Sequence, residues 1–329
     1  MKLVAPKYYE RFRCKGGKCK NNCCIGWEID VDESALAKYI ALDGELGKGI
    51  RKSIDKSGDA PHFILDKNER CPHLNSENLC DIICELGEGY LCHICREHPR
   101  YYTTLGDTVY GGVGMSCEAA AELILGETEP HLYGEYPDTG AVYEECDGEL
   151  HGLVLRYRDV IVTEAQRAEN MRELLTVGCE LGVALQREID GNSHEGAEAA
   201  DIRGTLSDLF SRLEYMGGEL PLLIDRALAS RKNISAENFS RARNIFIYFI
   251  DRYLMGAAAD GDAIGALALA SVSAATLGLI YSNVGADFDK AVELAALYSA
   301  EIEYSEENVE NFKGYADESL LSGLSALFS

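Results

Sequence analysis

From Leu153 onward, apolar residues recur at three- and four-residue spacing, the signature of one buried helix face. The pattern predicts helices over 153–185, 206–215, 236–253, 287–304 and 318–328, with a polar loop at 190–198. Residues 263–281 run for 19 positions without a charge. They are rich in Ala, Gly and Ser, and Asp260 and Asp262 stand just before them. That composition predicts the central helix of a bundle in preference to a membrane span.

Before residue 127 no long apolar period survives. Asp32-Glu33-Ser34 ahead of ALAKYIAL reads as a capped helix that continues toward Ile54 after a glycine-rich break. Residues 62–66 read as a short strand. Residues 101–104 and 108–110, around Gly106-Asp107, read as a hairpin. Residues 118–125 form a short helix that stops at Gly126. Prolines and glycines scattered among acids mark 127–150 as a connector. The expected architecture is therefore mainly α: an irregular Cys-rich domain (1–126), a connector (127–150) and an acidic α-helical bundle (151–329).

Charge narrows the partners. The net charge is −24, and residues 1–125 contribute little of it, with 16 Lys and Arg against 19 Asp and Glu. The remaining 15 basic and 36 acidic residues lie in 126–329. Such a surface repels nucleic-acid phosphates and anionic lipid, so neither is an expected partner; a lysine-bearing protein would be attracted.

Ten of the twelve cysteines fall between Cys14 and Cys117. Thiolates at this density point to zinc or an iron–sulfur cluster. Disulfides are the competing reading, but the start of the chain has no apolar signal region, and a cytoplasmic location is expected. The spacing fits neither paired zinc-ribbon knuckles nor the ferredoxin run, and adjacent Cys23 and Cys24 do not easily reach one ion together. His73 and His93 stand beside Cys71 and Cys92 as further candidate ligands or simply as polar loop residues. There is no GxxxxGK[ST] loop, no GxSxG and no HExxH. Gly111, Gly112 and Gly114 are candidates for a glycine-rich methyl-donor or dinucleotide loop, the other reading being a turn that positions Cys117.

The runs PKYYERFRCKGGKCKNNCCIGWEIDVDE, CPHLNSENLCDI, LGEGYLCHICREHPRYY and MSCEAAAELIL, then ARNIFIYFIDRYL and YSAEIEYSEENVENF, resemble the flagellin lysine-N-methylase family. That family is related to the broader group of Cys-rich zinc- or iron-chelating domains. Cys14, Cys19, Cys23, Cys24, Cys71, Cys80, Cys92, Cys95 and Cys117 fall at family positions, and Cys84 is extra. Ala300 and Tyr304 stand where the family has Arg and His, whereas Glu301, Glu303, Ser305 and Asn308 match. The resemblance implies methyl transfer from S-adenosylmethionine to lysine side chains of flagellin, with a Cys-ligated iron–sulfur cluster, [4Fe–4S] or alternatively zinc. Lysine must shed its proton before it can attack, since an ammonium has no lone pair. Tyr298, Glu301, Glu303 and Tyr304 are the candidate pocket residues. A non-catalytic metal-chelating protein or a redox protein are the alternative functions.

Overall fold

A computed structural model describes residues 1–329 except 21, 59, 138, 139, 192–200, 231, 232 and 329. The mainly α reading holds, with a four-stranded sheet and a two-stranded ladder beside the helices. Two compact units emerge. One comprises Arg13–Arg100 with Cys117–Ala119; the other comprises Met1–Phe12, Tyr101–Ser116 and Ala120–Ser329. The expected cuts at 126 and 150 therefore give way to an interleaved arrangement. Its cause is β1 (Lys2–Pro6), whose partners lie more than a hundred residues away.

In the Cys-rich unit, helices α1 (Glu33–Ala41) and α2 (Gly44–Lys52) precede a two-stranded antiparallel ladder, β2 (Ile54–Asp55) and β3 (His62–Phe63). Asp32 caps α1 by accepting the Ala35 N–H at 3.0 Å. Two short helices follow, α3 (Asp81–Leu86) and α4 (His93–Glu97). The core is small: Ile29, Val31, Tyr39, Ile50, Phe63 and Ile82 pack with Cys71 and Cys92. Side chains serve the loop backbone. Asn75 accepts from Glu77 and Leu79 N–H groups, and Arg70 donates to the Leu74 carbonyl.

The larger unit carries a sheet in the order β4 (Arg100–Leu105), β5 (Thr108–Val113), β1 and β6 (Tyr133–Tyr136). Strand β1 runs parallel to β5, with Leu3 opposite Val109, and antiparallel to β6, with Val4 opposite Glu135. The 101–110 hairpin was legible, but β1 and β6 were not, because each becomes a strand only through this long-range pairing. Helices α5 (Glu118–Leu125), α6 (Gly148–Arg167), α7 (Met171–Asp190), α8 (Ile202–Ser211) and α9 (Glu219–Ala229) follow. Next come α10 (Ala236–Tyr253), α11 (Ala257–Asp260), α12 (Ala263–Val284), α13 (Phe288–Glu303), α14 (Glu306–Gly314) and α15 (Glu318–Leu324). Of the expected 190–198 loop, only Asp190 and Gly191 lie among the described residues.

Helix α12 is the one described helix long and apolar enough to cross a membrane, and 94% of its apolar window is buried within the structure. It packs against α7, α9, α10, α14 and α15. Its small residues permit that enclosure. A Cβ on Gly278 would lie 2.8 Å from Ile234, and one on Gly182 of α7 would lie 2.9 Å from Leu267.

Candidate functional site

The twelve thiols are all free. In the Cys-rich unit, Cys71 and Cys92 belong to the core itself, and Cys24, Cys80 and Cys95 pack against that same core. The backbone ties them together: the Cys71 N–H donates to the Cys24 carbonyl at 2.9 Å, and Leu74 forms a bridge with Cys80. Cys92 begins α4 and Cys95 lies three residues on, which places both at one helix N-terminus. The Tyr39 hydroxyl stands 3.6 Å from the Cys92 sulfur.

Burial pushes Cys71 up to about 11 and also raises Cys80. A hydrogen bond from Cys95 lowers Cys92; that bond, together with burial, raises Cys95. The charges of Cys71 and Cys80 act on both Cys24 and Cys95. Ionising these five thiols together would set buried like charges side by side, and a thiophilic cation removes that cost. The remaining candidates form another group. Burial first, then the charges of Cys117, Glu118, Cys14 and Cys23, push Cys19 up to about 12. Cys14 is exposed, and its sulfur accepts the Gly16 N–H at 3.3 Å. Cys23, hydrogen-bonded to Cys24, is lowered to about 7. Cys84 is exposed on α3.

Among the described residues, no three His, Cys, Asp or Glu side chains gather closely enough to hold a single ion. A tetrahedral zinc with Zn–S bonds of about 2.3 Å needs sulfurs about 3.8 Å apart. Thiolates on an iron–sulfur cube each take a different iron and stand farther apart.

The larger unit holds a different constellation. Glu303, the last residue of α13, has a side chain only 1% exposed. It accepts from the hydroxyls of Tyr248 at 2.9 Å, Tyr253 at 3.1 Å and Ser299 at 2.5 Å, and pairs with Arg252 Nε at 2.8 Å. Tyr248 in turn accepts the Met115 N–H at 3.0 Å. Burial raises Tyr248 and Tyr253, and Glu303 adds to it, so both phenols stay protonated and donate. Burial alone would lower Arg252, but Glu303 more than compensates and holds it well above its ordinary value. The guanidinium lies 4.9 Å from the centre of the Tyr101 ring.

One residue before Arg252, Asp251 accepts the Tyr133 hydroxyl at 2.6 Å. Its other oxygen stands 2.9 Å from His131 Nε2, at an angle too bent for a good hydrogen bond. Arg158 covers the Tyr133 ring at 4.0 Å. The Tyr8 ring meets His131 edge-on, and the hydroxyls of Tyr8 and Tyr101 are buried without partners. Acids, cations and tyrosines thus share one nearly dry core.

The four residues proposed for the pocket disperse. Residues two apart on a helix point about 200° apart, so Glu301 faces away from Glu303. Glu301 accepts the N–H groups of Met216 at 2.6 Å and Gly217 at 3.1 Å, and Asn308 braces the same loop at Glu214. Tyr298 bonds Ser273 at 3.1 Å within the bundle, and Tyr304 is 48% exposed. Glu303 alone of the four joins the polar core. Gly111 and Gly112 lie in β5, where a Cβ on Gly112 would sit 2.4 Å from the Tyr101 hydroxyl oxygen. These glycines make room for Tyr101 beside Arg252. Gly114 follows the strand and precedes Met115. We expect Gly112→Ala to displace the Tyr101 ring and cost about 1–3 kcal/mol in urea denaturation; wild-type stability would show that the strand yields freely.

Tyr8, Tyr101, His131, Tyr133, Asp251, Arg252 and Tyr253 were missed as site residues. A signal existed. Tyr8, Tyr101 and the Asp251-Arg252-Tyr253 triplet all lie in the stretches PKYYERF, HPRYY and FIDRYL.

Fold and site together define a mainly α protein that combines a free-thiol insert with a buried tyrosine–acid core. In sequence, the chain is 26% identical over 169 residues to the flagellar biosynthetic protein FliU of Salmonella muenchen, covering 47% of this chain and 90% of that protein. It is 27% identical over 147 residues to Lysine-N-methylase of Salmonella typhimurium, covering 40% of this chain and 35% of that protein, and 26% identical to its counterpart in Salmonella choleraesuis. The chain is thus related in sequence to proteins named Lysine-N-methylase, and the match spans about a third of the length of these two. No family model matches the chain, and no solved structure does.

Proposed function

We propose that this chain is a protein-lysine N-methyltransferase that uses S-adenosylmethionine, acts on flagellin lysines and carries an iron–sulfur cluster on its Cys-rich unit. One observation carries the reading. Three segments that resemble the family and are far apart in sequence, around Tyr8, Asp251–Tyr253 and Glu303, converge on one buried core. Sequence relation to proteins named Lysine-N-methylase supports the reaction class.

In this mechanism the lysine ammonium first gives its proton to His131, and the imidazolium so formed sits against the Asp251 carboxylate. The neutral amine then attacks the sulfonium methyl. A new N–C bond forms, the C–S bond breaks with its electron pair passing to sulfur, and the donor leaves as the thioether. Asp251 steadies the imidazolium, and the tyrosine rings offer π faces to the sulfonium charge. Water exclusion strengthens both effects.

Cys24, Cys71, Cys80, Cys92 and Cys95 would hold the cluster. Bound there, it neutralises their thiolates and cross-links loops that have only a small core of their own.

Intact-mass analysis of flagellin co-expressed with the metal-loaded protein tests the reading. Increments of 14 Da, about one CH₂ per transfer, are expected on lysines and are lost with His131→Gln. A loaded protein that leaves flagellin unmodified would favour a non-catalytic chelating role.

A further inference from the structure

The larger unit contains a cavity of about 220 Å³ lined by Tyr8, Glu127, Glu129, His131, Gln166 and Arg243, among others. Arg243 is its odd member. The other two arginines of α10 both have carboxylates: Arg241 pairs with Glu237 and Arg252 with Glu303. Arg243 has no carboxylate partner among the described residues. Its Nε is buried without a hydrogen bond, and its one polar contact is a long 3.5 Å approach of Nη1 to the Gln166 carbonyl. Burial alone lowers its pKa, the mark of a cation that lacks its counter-ion. Beside it the Tyr8 hydroxyl, fully buried, also lacks a partner.

Two unmatched donors buried in the wall of one cavity call for an acceptor, and a guanidinium matches a carboxylate in geometry and charge. Glu127 does not fill that role, because its side chain is engaged by Arg11. Glu129, the other acid on the wall, disfavours a dianion such as phosphate but suits an ammonium. A carboxylate and an ammonium on one small ligand describe an α-amino acid. The volume suits a single amino-acid side, not a nucleoside as well.

We propose that this cavity binds the amino-acid end of the methyl donor, with Arg243 and Tyr8 on its carboxylate and Glu129 on its ammonium. The choice of donor rests on the methyl-transfer reading; the zwitterion chemistry does not.

Calorimetric titration of the metal-loaded protein with S-adenosylhomocysteine, 5′-methylthioadenosine and methionine tests it. The second ligand keeps the nucleoside thioether and lacks the amino-acid end. Wild type is expected to bind S-adenosylhomocysteine about ten-fold more tightly than methylthioadenosine, the worth of one charge-assisted contact. Arg243→Gln should erase that preference and leave methylthioadenosine unchanged. Tyr8→Phe, which removes only an oxygen, should reduce the preference several-fold and serves if the Arg243 variant fails to fold. If both variants bind S-adenosylhomocysteine as wild type does, the cavity assignment is overturned while the methyl-transfer reading stands. If wild type binds neither nucleoside, the donor reading fails. The methionine titration then decides the cavity: binding that depends on Arg243 upholds a zwitterion site, and no binding overturns it.

Discussion

Arg252→Ala should cost about 3–5 kcal/mol of stability, the usual consequence of removing one partner from a buried ion pair. Glu303 would keep three hydroxyl donors, but its charge would have no cation within a core that excludes water. The variant's remedy is to protonate the acid. The deficit relative to wild type should therefore be smaller at acidic pH than at neutral pH. Urea titrations at the two values measure this. Combining Arg252→Met with Glu303→Gln, which removes both charges, should recover part of the loss. An Arg252→Ala protein as stable as wild type would mean that Glu303 is not the isolated charge described.

The second large effect concerns the thiols. Cys71→Ser and Cys92→Ser each take a ligand from the middle of the five-thiol core, and each should abolish or sharply reduce bound iron and inorganic sulfide after anaerobic purification. Because the binding energy of a cluster held there would also be folding energy, the same variants should melt earlier. Cys84→Ser, at an exposed position, should keep wild-type metal content and visible absorption. Full iron in both core variants would remove that set as the cluster ligands; stoichiometric zinc and no sulfide in wild type would replace the cluster with a structural ion.

Helical periodicity disclosed most of the larger unit because each amphipathic face is a local pattern. The 263–281 segment needed only composition: small residues and no charges can be satisfied by close packing on every side. Helices α9 and α14 are short, and the acid-rich start of α14 blurred its pattern. The strands β1 and β6 are five and four residues long, and nothing in KLVAP or YGEY names its partner. The site was half visible. Cysteine density singled out the thiols, yet which of them share a core depends on how four loops fold back. Glu303 stood out as an acid on a helix end, but so did Glu301, and two residues of helical rotation separate a buried charge from a loop brace. His131 sits in a stretch that reads as a connector, and its importance appears only with Asp251, 120 residues later.

Strand β1 also sets a timetable for synthesis. It leaves the ribosome well before its two neighbours in the sheet, β5 and β6, which follow only with residues 108–113 and 133–136. At about 5–20 residues per second that is a wait of roughly five to twenty-five seconds. During that interval Leu3 and Ala5, fully covered in the finished protein, have nothing to cover them. Meanwhile the complete stretch from Arg13 to Arg100 has emerged and can begin to gather its thiols. The nascent chain is therefore open to chaperones at β1 while its Cys-rich segment emerges, and the sheet can form only after that segment is made.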